Sequence, residues 1–289
     1  MKSASAMSLC ALSLMALAMP TIAAPVWTAG VGAQGDDSGA STVDADIGWT
    51  PVDALSLSFV GGHVNGASNE GDFSATTTAV DLDWQPLRRL GFGVGYDVWN
   101  DPSTYDKRSA RGALYIGGAR ARLGLMAESV RTETTAQLPL RRRTSIDFNG
   151  SGYGLDLHLS GDRADFYVSY MTYDYNDSAN RLITFLSNPQ LTTRPRLDAL
   201  LNSGLTVAGA LLDHSAGAGV DVFVRNARIG FAFTQFREIV SGSDTRTLQT
   251  DFEWPLATHW SARLSAGLSD SDATNTSFFG GARILFHST

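Results

Sequence analysis

From residue 26 almost to the C-terminus, large apolar residues alternate with small or polar ones at a period of two. In residues 90–98, Leu, Phe, Val, Tyr and Val alternate with Gly and Asp. The same pattern recurs in residues 80–84, 153–159 and 260–268. Because successive side chains of a β-strand point to opposite faces, the alternation predicts strands with one apolar face each. The sequence therefore predicts an all-β protein.

Fourteen segments carry this alternation, and their predicted ends are good to within a few residues. These segments are residues 26–34, 42–50, 54–64, 75–84, 90–99, 108–117, 119–130, 146–160, 164–175, 214–224, 228–238, 245–254, 259–269 and 275–286. A change of parity between Phe148 and Tyr153 predicts a β-bulge around Gly150 and Gly152. A strand count of twelve is the alternative, if one hairpin has been assigned wrongly.

The connections between these segments alternate in length. Six are tight: residues 50–53, 85–89, 117–118, 161–163, 225–227 and 255–258. Longer polar connections lie between them, the longest running from Asn176 to about Asp213. Membrane barrels have short periplasmic turns and longer external loops in this order. The pattern predicts a transmembrane up-and-down antiparallel β-barrel of about 14 strands in the outer membrane, with both termini periplasmic.

The N-terminus has the composition of an export signal. Lys2 precedes an apolar run over residues 7–18, which is too short to span a membrane as a helix. We predict a cleaved signal peptide over residues 1–23 and a barrel over residues 24–289. Cleavage would remove Cys10, the only cysteine, which excludes disulfides and thiolate sites in the mature chain. The net charge of −7 argues against a nucleic-acid partner.

Five of the six tryptophans fall at one end of the predicted barrel. They are Trp27, Trp49, Trp84, Trp254 and Trp260, and Phe286 lies at the same end. Indole rings concentrate at the boundary between membrane and water, where the ring is buried and its N–H remains hydrated. We therefore predict that these six residues form a girdle at the membrane interface. The alternative is that they are ordinary core aromatics.

The last strand, residues 277–286 (SFFGGARILF), resembles the C-terminal assembly signal of Gram-negative outer-membrane β-barrel proteins. That signal ends in a glycine and two alternating aromatic or aliphatic residues, and Gly281, Ile284 and Phe286 occupy these places. The tail 287–289 departs from the family, whose chains usually stop at the terminal aromatic. The resemblance implies recognition by periplasmic chaperones and the barrel-assembly machinery. In length and strand number the chain is similar to small monomeric porins, with no specific subfamily indicated.

If the apolar face contacts outer-membrane lipids and lipopolysaccharide, the residues between line the lumen. The predicted pore-lining residues are Asp44, Asp46, Asp81, Asp83, Asp97, Arg111, Arg120, Arg122, Asp156, Asp221, Asp251, Glu253, Arg263 and Arg283. Inward charges set the ion preference of a wide pore, and the excess of carboxylates predicts a cation preference. The alternative is internal ion pairing, for example of Arg263 with Asp251 or Glu253.

These features predict a porin that lets small hydrophilic solutes or ions pass, with a constriction formed by the connection at 176–213. Arg141, Arg142 and Arg143 lie in another external loop and are interpreted either as a lipopolysaccharide contact or as a solvated tip. The other functions considered are a non-transporting envelope scaffold or complex subunit and a barrel lipid hydrolase. A secreted soluble β-sandwich is the alternative fold.

No catalytic, metal or cofactor site is predicted. Asp156, His158 and Ser160 share one strand face, but alternate residues of a strand lie about 7 Å apart. This spacing does not by itself make a hydrogen-bonded triad.

Overall fold

The chain folds into one closed antiparallel β-barrel. A computed structural model describes residues 25–37, 39–52, 54–66, 73–101, 105–118, 120–137, 143–176, 212–239, 242–272 and 274–288. The predicted signal peptide at 1–23 lies outside these residues. No helix within the described ranges is long and apolar enough to cross a membrane.

Fourteen strands form the wall, each hydrogen-bonded to its neighbours in sequence, and the last strand pairs with the first. They are β1 (Val26–Asp36), β2 (Ser41–Val52), β3 (Leu55–Gly66), β4 (Phe73–Leu87), β5 (Leu90–Asp101), β6 (Tyr105–Gly118), β7 (Ala121–Gln137), β8 (Arg143–Ser160), β9 (Ala164–Tyr175), β10 (Leu212–Val224), β11 (Ala227–Glu238), β12 (Asp244–Ala257), β13 (Trp260–Ser271) and β14 (Thr274–His287). The predicted count of fourteen is confirmed, and the two-sheet sandwich is excluded because the sheet closes on itself.

The predicted bulge in β8 is wrong. Gly150 pairs with Val130 and Tyr153 with Ala127 in one uninterrupted register along β7. The parity change arises because β8 is 18 residues long and continues beyond its apolar segment. Positions 148, 150 and 152 therefore follow one another in the ladder without any extra residue.

The two faces of the wall differ in chemistry. Outward-facing side chains are mostly large and apolar and remain exposed on the isolated chain, as Leu123, Leu125 and Leu155 illustrate. Fully buried apolar side chains are few among the described residues. A soluble domain hides such residues in a core, whereas a transmembrane barrel presents them to lipid. The stability of this fold therefore rests on the closed ladder of backbone hydrogen bonds and on an apolar surrounding.

The two ends of the barrel differ in their connections. At the end that holds both described termini, the strands are joined by six connections of two or three residues, and we name it the tight-turn end. We name the opposite rim the long-loop end, where the β9–β10 connection covers residues 176–211. The predicted alternation is confirmed except at two connections of the long-loop end, residues 102–104 between β5 and β6 and residues 272–273 between β13 and β14, which are as short as the tight turns.

Gly117, in β6 beside a tight turn, generates the first prediction. Its φ of +139° is a conformation that side chains disfavour, and a Cβ there would strike the carbonyl of Ala121. We expect Gly117→Ala to lower the free energy of unfolding by about 1–3 kcal/mol, measured by urea titration of the refolded barrel. Gly118→Ala is the control, because a Cβ at Gly118 meets nothing within 4 Å. Equal effects of the two substitutions would contradict this account.

Candidate functional site

Charged side chains on the inner face form a belt of ion pairs across the barrel seam. Arg228, Glu253, Arg263 and Arg283 are direct cross-strand partners on β11, β12, β13 and β14. Glu253 accepts from Arg263 Nη2 at 2.7 Å and lies 3.7 Å from Arg228 Nε. We name this group, with the carboxylates that complete it, the arginine belt.

The remaining carboxylates of the arginine belt lie at its two ends. Arg228 Nη1 is 3.0 Å from Asp221 on β10. Arg283 reaches past β1 to two carboxylates of β2: Asp44, at 2.6 Å, and Asp46. The passage is open because β1 has Gly30 there, where a Cβ would lie 2.8 Å from Arg283 Nε. The belt therefore joins strands on both sides of the β1–β14 seam.

A second ion-pair cluster lies on β4, β5 and β6. Arg111 is 3.0 Å from Asp81 and 3.7 Å from Asp97, and Asp97 also accepts from Ser109 Oγ at 2.7 Å. These pairs and the arginine belt confirm that internal pairing occurs, as the sequence alternative expected. Arg263 pairs with Glu253 rather than with Asp251.

Three of the predicted lining carboxylates stand apart from these pairs. Within the described ranges, Asp83, Asp156 and Asp251 form no ion pair. Asp251 accepts from Gln249 Nε2 at 3.0 Å. Asp156 Oδ1 is shielded from solvent and has no hydrogen-bond partner. These three carboxylates are thus on the inner face without a direct ion-pair partner among the described residues, although Asp83 interacts electrostatically with Arg122.

The two remaining predicted arginines lie near the tight-turn end. Arg120 sits in the β6–β7 turn, and Arg122 stacks its guanidinium 4.3 Å from the ring centre of Tyr115. Both line a cavity of about 940 Å³, together with Arg88 and Arg89 of the β4–β5 turn. The polar side chains of Gln85, His158 and Ser160 also line it, and Ala54, Leu87 and Gly118 complete its wall.

Several inner-face residues were missed by sequence reasoning. Arg228 has the same parity as Gly230 and Ala232, and this signal could have identified it. Tyr115 and Tyr173 face inward although aromatics were expected to face lipid; Tyr173 donates to Glu128 at 2.9 Å. Parity along the strand, rather than residue type, was the reliable guide.

Inner-face residues of β5, β6 and β7 toward the long-loop end are shielded from solvent. Trp99 is 2% exposed, Val130 2%, Thr132 0% and Ser109 1%. Trp99, the sixth tryptophan, therefore faces inward, far from the predicted girdle. Of the connection predicted as a constriction at 176–213, residues 177–211 lie outside the described residues and residues 212–213 belong to β10. The side chains of Arg141, Arg142 and Arg143 also lie outside the described residues.

The predicted girdle aromatics all lie close to the tight-turn end. Trp27 stacks on Trp49 with ring centres 5.6 Å apart, and Trp84 contacts Phe92 at 5.9 Å. Trp260 meets Phe286 edge-on at 5.2 Å. Trp254 stacks on Phe252 at 5.3 Å. Their function at a membrane interface stays a prediction.

The C-terminal segment that resembles an assembly signal forms β14, the strand that closes the barrel. Ile284 is exposed on the outer face, and Gly281 pairs with Gln34 of β1. Recognition of this strand by assembly factors stays a prediction.

The structure gives no catalytic arrangement for Asp156, His158 and Ser160. They share the inner face of β8, but in the part of the chain that is described no hydrogen bond joins them. No group of three or more His, Cys, Asp or Glu residues there could hold a metal ion.

Glu253 is the shared carboxylate of the arginine belt, and its removal is the second prediction. We expect Glu253→Gln to lower the free energy of unfolding by about 1–3 kcal/mol, because two guanidinium groups lose their common anion. Asp251→Asn removes the same charge two residues away without breaking an ion pair, and we expect a loss below about 1 kcal/mol. Urea titrations of both refolded variants decide the matter; equal losses would show that the belt contributes no more than an unpaired carboxylate.

Comparisons with known proteins show the fold. No protein-family model matches the chain, and no curated protein matches it in sequence. The solved CymD monoaromatic hydrocarbon channel is similar with a TM-score of 0.52 at 8% identity, over 93% of this chain and 89% of that one. The KdgM porin is similar with a TM-score of 0.45 at 8% identity, over 90% of this chain and 98% of that one. OpdK of Pseudomonas aeruginosa, solved with vanillate, gives 0.45 at 7% identity, over 91% and 98%. The chain thus has the fold of outer-membrane β-barrel channels.

Proposed function

We propose that this chain is an outer-membrane channel through which small hydrophilic solutes or ions pass passively. The observation that carries the proposal is the division of chemistry across the wall. The outer face exposes aliphatic and aromatic side chains, while the inner face carries the arginine belt, the Arg111 cluster and unpaired carboxylates. Such a wall is stable in a bilayer and encloses a polar interior.

The strand number supports passage. An eight-stranded barrel has room for little more than side chains, whereas barrels of sixteen to eighteen strands leave an aqueous channel. Fourteen strands lie between these limits. The inner charges would then act on the permeating ion through the local potential.

The proposal includes an orientation. The tight-turn end faces the periplasm, and the girdle aromatics mark the periplasmic boundary of the outer membrane. The signal peptide at 1–23 directs export, and the C-terminal strand is delivered by chaperones to the assembly machinery. Lipids and lipopolysaccharide surround the outer face. These statements rest on the sequence features described above.

We further propose that the connection at 176–213 narrows the channel. In support, it leaves and re-enters the wall at the long-loop end. The inner-face residues Trp99, Val130 and Thr132 near that end are shielded from solvent. The same shielding is the observation that favours the second candidate, a barrel that is closed to solutes and serves as an envelope scaffold.

Electrical recording separates the two candidates. We expect the refolded protein to migrate differently on a detergent gel before and after boiling, and to give discrete current steps in a planar bilayer. A preparation boiled before reconstitution is the control. A correctly folded barrel that gives no current would overturn the channel proposal and leave the scaffold.

The unpaired carboxylates allow a test of the inner lining. We expect Asp83→Asn combined with Asp156→Asn to lower the permeability of cations relative to anions by about twofold, a shift of about 0.4 kcal/mol for water-screened charges. The reversal potential in a KCl gradient measures it. Asp174→Asn with Asp270→Asn is the matched control, because both residues have the outward parity of their strands. An equal shift in the control pair would contradict the lining assignment.

A further inference from the structure

Four arginines gather around one cavity at the tight-turn end. The β4–β5 turn contributes Arg88 and Arg89, and the β6–β7 turn contributes Arg120. Arg122, two residues into β7, completes the group, which we name the mouth arginines. The two turns are close because β5 and β6 are paired along their length.

The mouth arginines differ from the other inward arginines. Arg111, Arg228, Arg263 and Arg283 each have a carboxylate within 4 Å. Across the described ranges, none of the mouth arginines forms an ion pair. Arginine is always charged in proteins, so like charges share this cavity, and none of the described residues of its wall is a carboxylate.

The rest of the cavity wall suits an anion. Gln85 and Ser160 can donate hydrogen bonds, and His158 adds an imidazole. No carboxylate lines this cavity among the described residues. One negative charge beside it is Asp83, which lines the adjoining cavity of about 210 Å³ that Arg122 and Gln85 also line, and Asp83 interacts electrostatically with Arg122. The mouth arginines thus place positive charge at this end of the barrel, and Asp83 places negative charge beside them.

The orientation of Arg122 leaves its donors free. Its guanidinium lies over the Tyr115 ring, so the face of the group is occupied while its N–H edges remain available. Guanidinium groups bind carboxylate and phosphate through two parallel hydrogen bonds. A cavity of about 940 Å³ is within the range that holds small ligands.

We propose that the mouth arginines form a binding site for a small soluble anion that carries two or more carboxylate or phosphate groups. The site requires only a folded barrel. Its use as a selective filter at one end of a channel rests on the proposed function.

Calorimetry with pyrophosphate as the probe tests the site directly. Refolded protein in zwitterionic detergent at low ionic strength is titrated before and after substitution. We expect Arg120→Gln with Arg122→Gln, and separately Arg88→Gln with Arg89→Gln, to weaken binding at least about tenfold. Arg163→Gln with Arg225→Gln is the control, which removes two charges from other tight turns and leaves the cavity wall intact. We expect it to change binding by less than about twofold.

The outcomes are distinct. Failure of the unsubstituted barrel to bind pyrophosphate would overturn the proposal, as would equal weakening by the control pair. Displacement of pyrophosphate by stoichiometric short-chain phosphatidylglycerol would assign the site to lipid headgroups and overturn the soluble-anion assignment. The two substituted pairs lie in different turns, so misfolding of one leaves the other decisive. A barrel that binds pyrophosphate but passes no current would keep the site and refute the channel.

Discussion

The pairing of β14 with β1 is the constraint on which the rest of this structure depends. An open sheet would expose unpaired N–H and C=O groups on two edges, and the hydrocarbon of a membrane offers these groups no hydrogen-bond partners. Closure removes both edges, and only then can the outer face be largely apolar. The inner face is a consequence of the same closure, because the period of two delivers every second residue to a shared interior. Charge can therefore accumulate there without a conventional core.

The inner wall is divided into zones of different electrostatic character. The arginine belt and the Arg111 cluster are largely neutralised internally, so they act mainly on stability. Among the described residues, Asp83 and Asp156 form no direct ion pair, and neither do the mouth arginines at the tight-turn end, where Asp83 and Arg122 interact electrostatically across two adjoining cavities. A permeating ion would therefore meet separate regions of opposite sign rather than a uniform tube.

Much of the fold could be predicted from sequence, and less of the candidate site. Alternation and turn spacing gave fourteen strands, because parity along a strand is a local property. The bulge predicted near Gly150 was wrong because apolar residues on β8 end before the strand does.

The ion pairs of the site depend on the register between strands, and sequence alone does not specify that register. Arg283 and Asp44, which pair although they are more than two hundred residues apart, are an example. Arg88 and Arg89 were assigned to a turn, and their proximity to Arg120 appears only in the closed barrel.

The reach of Arg283 across Gly30 to Asp44 and Asp46 bears on how accurately the barrel can close. Sliding β14 along β1 by two residues would preserve the inward and outward faces, so hydrophobicity alone would tolerate the error. That slip would carry the guanidinium about 6.6 Å along the strand, so that it could no longer bridge both Asp44 and Asp46 and would keep at most one of them. The ion pairs of Arg283 at the seam therefore favour the correct register of β14 on β1 over registers shifted by two residues, which backbone hydrogen bonding alone would also allow.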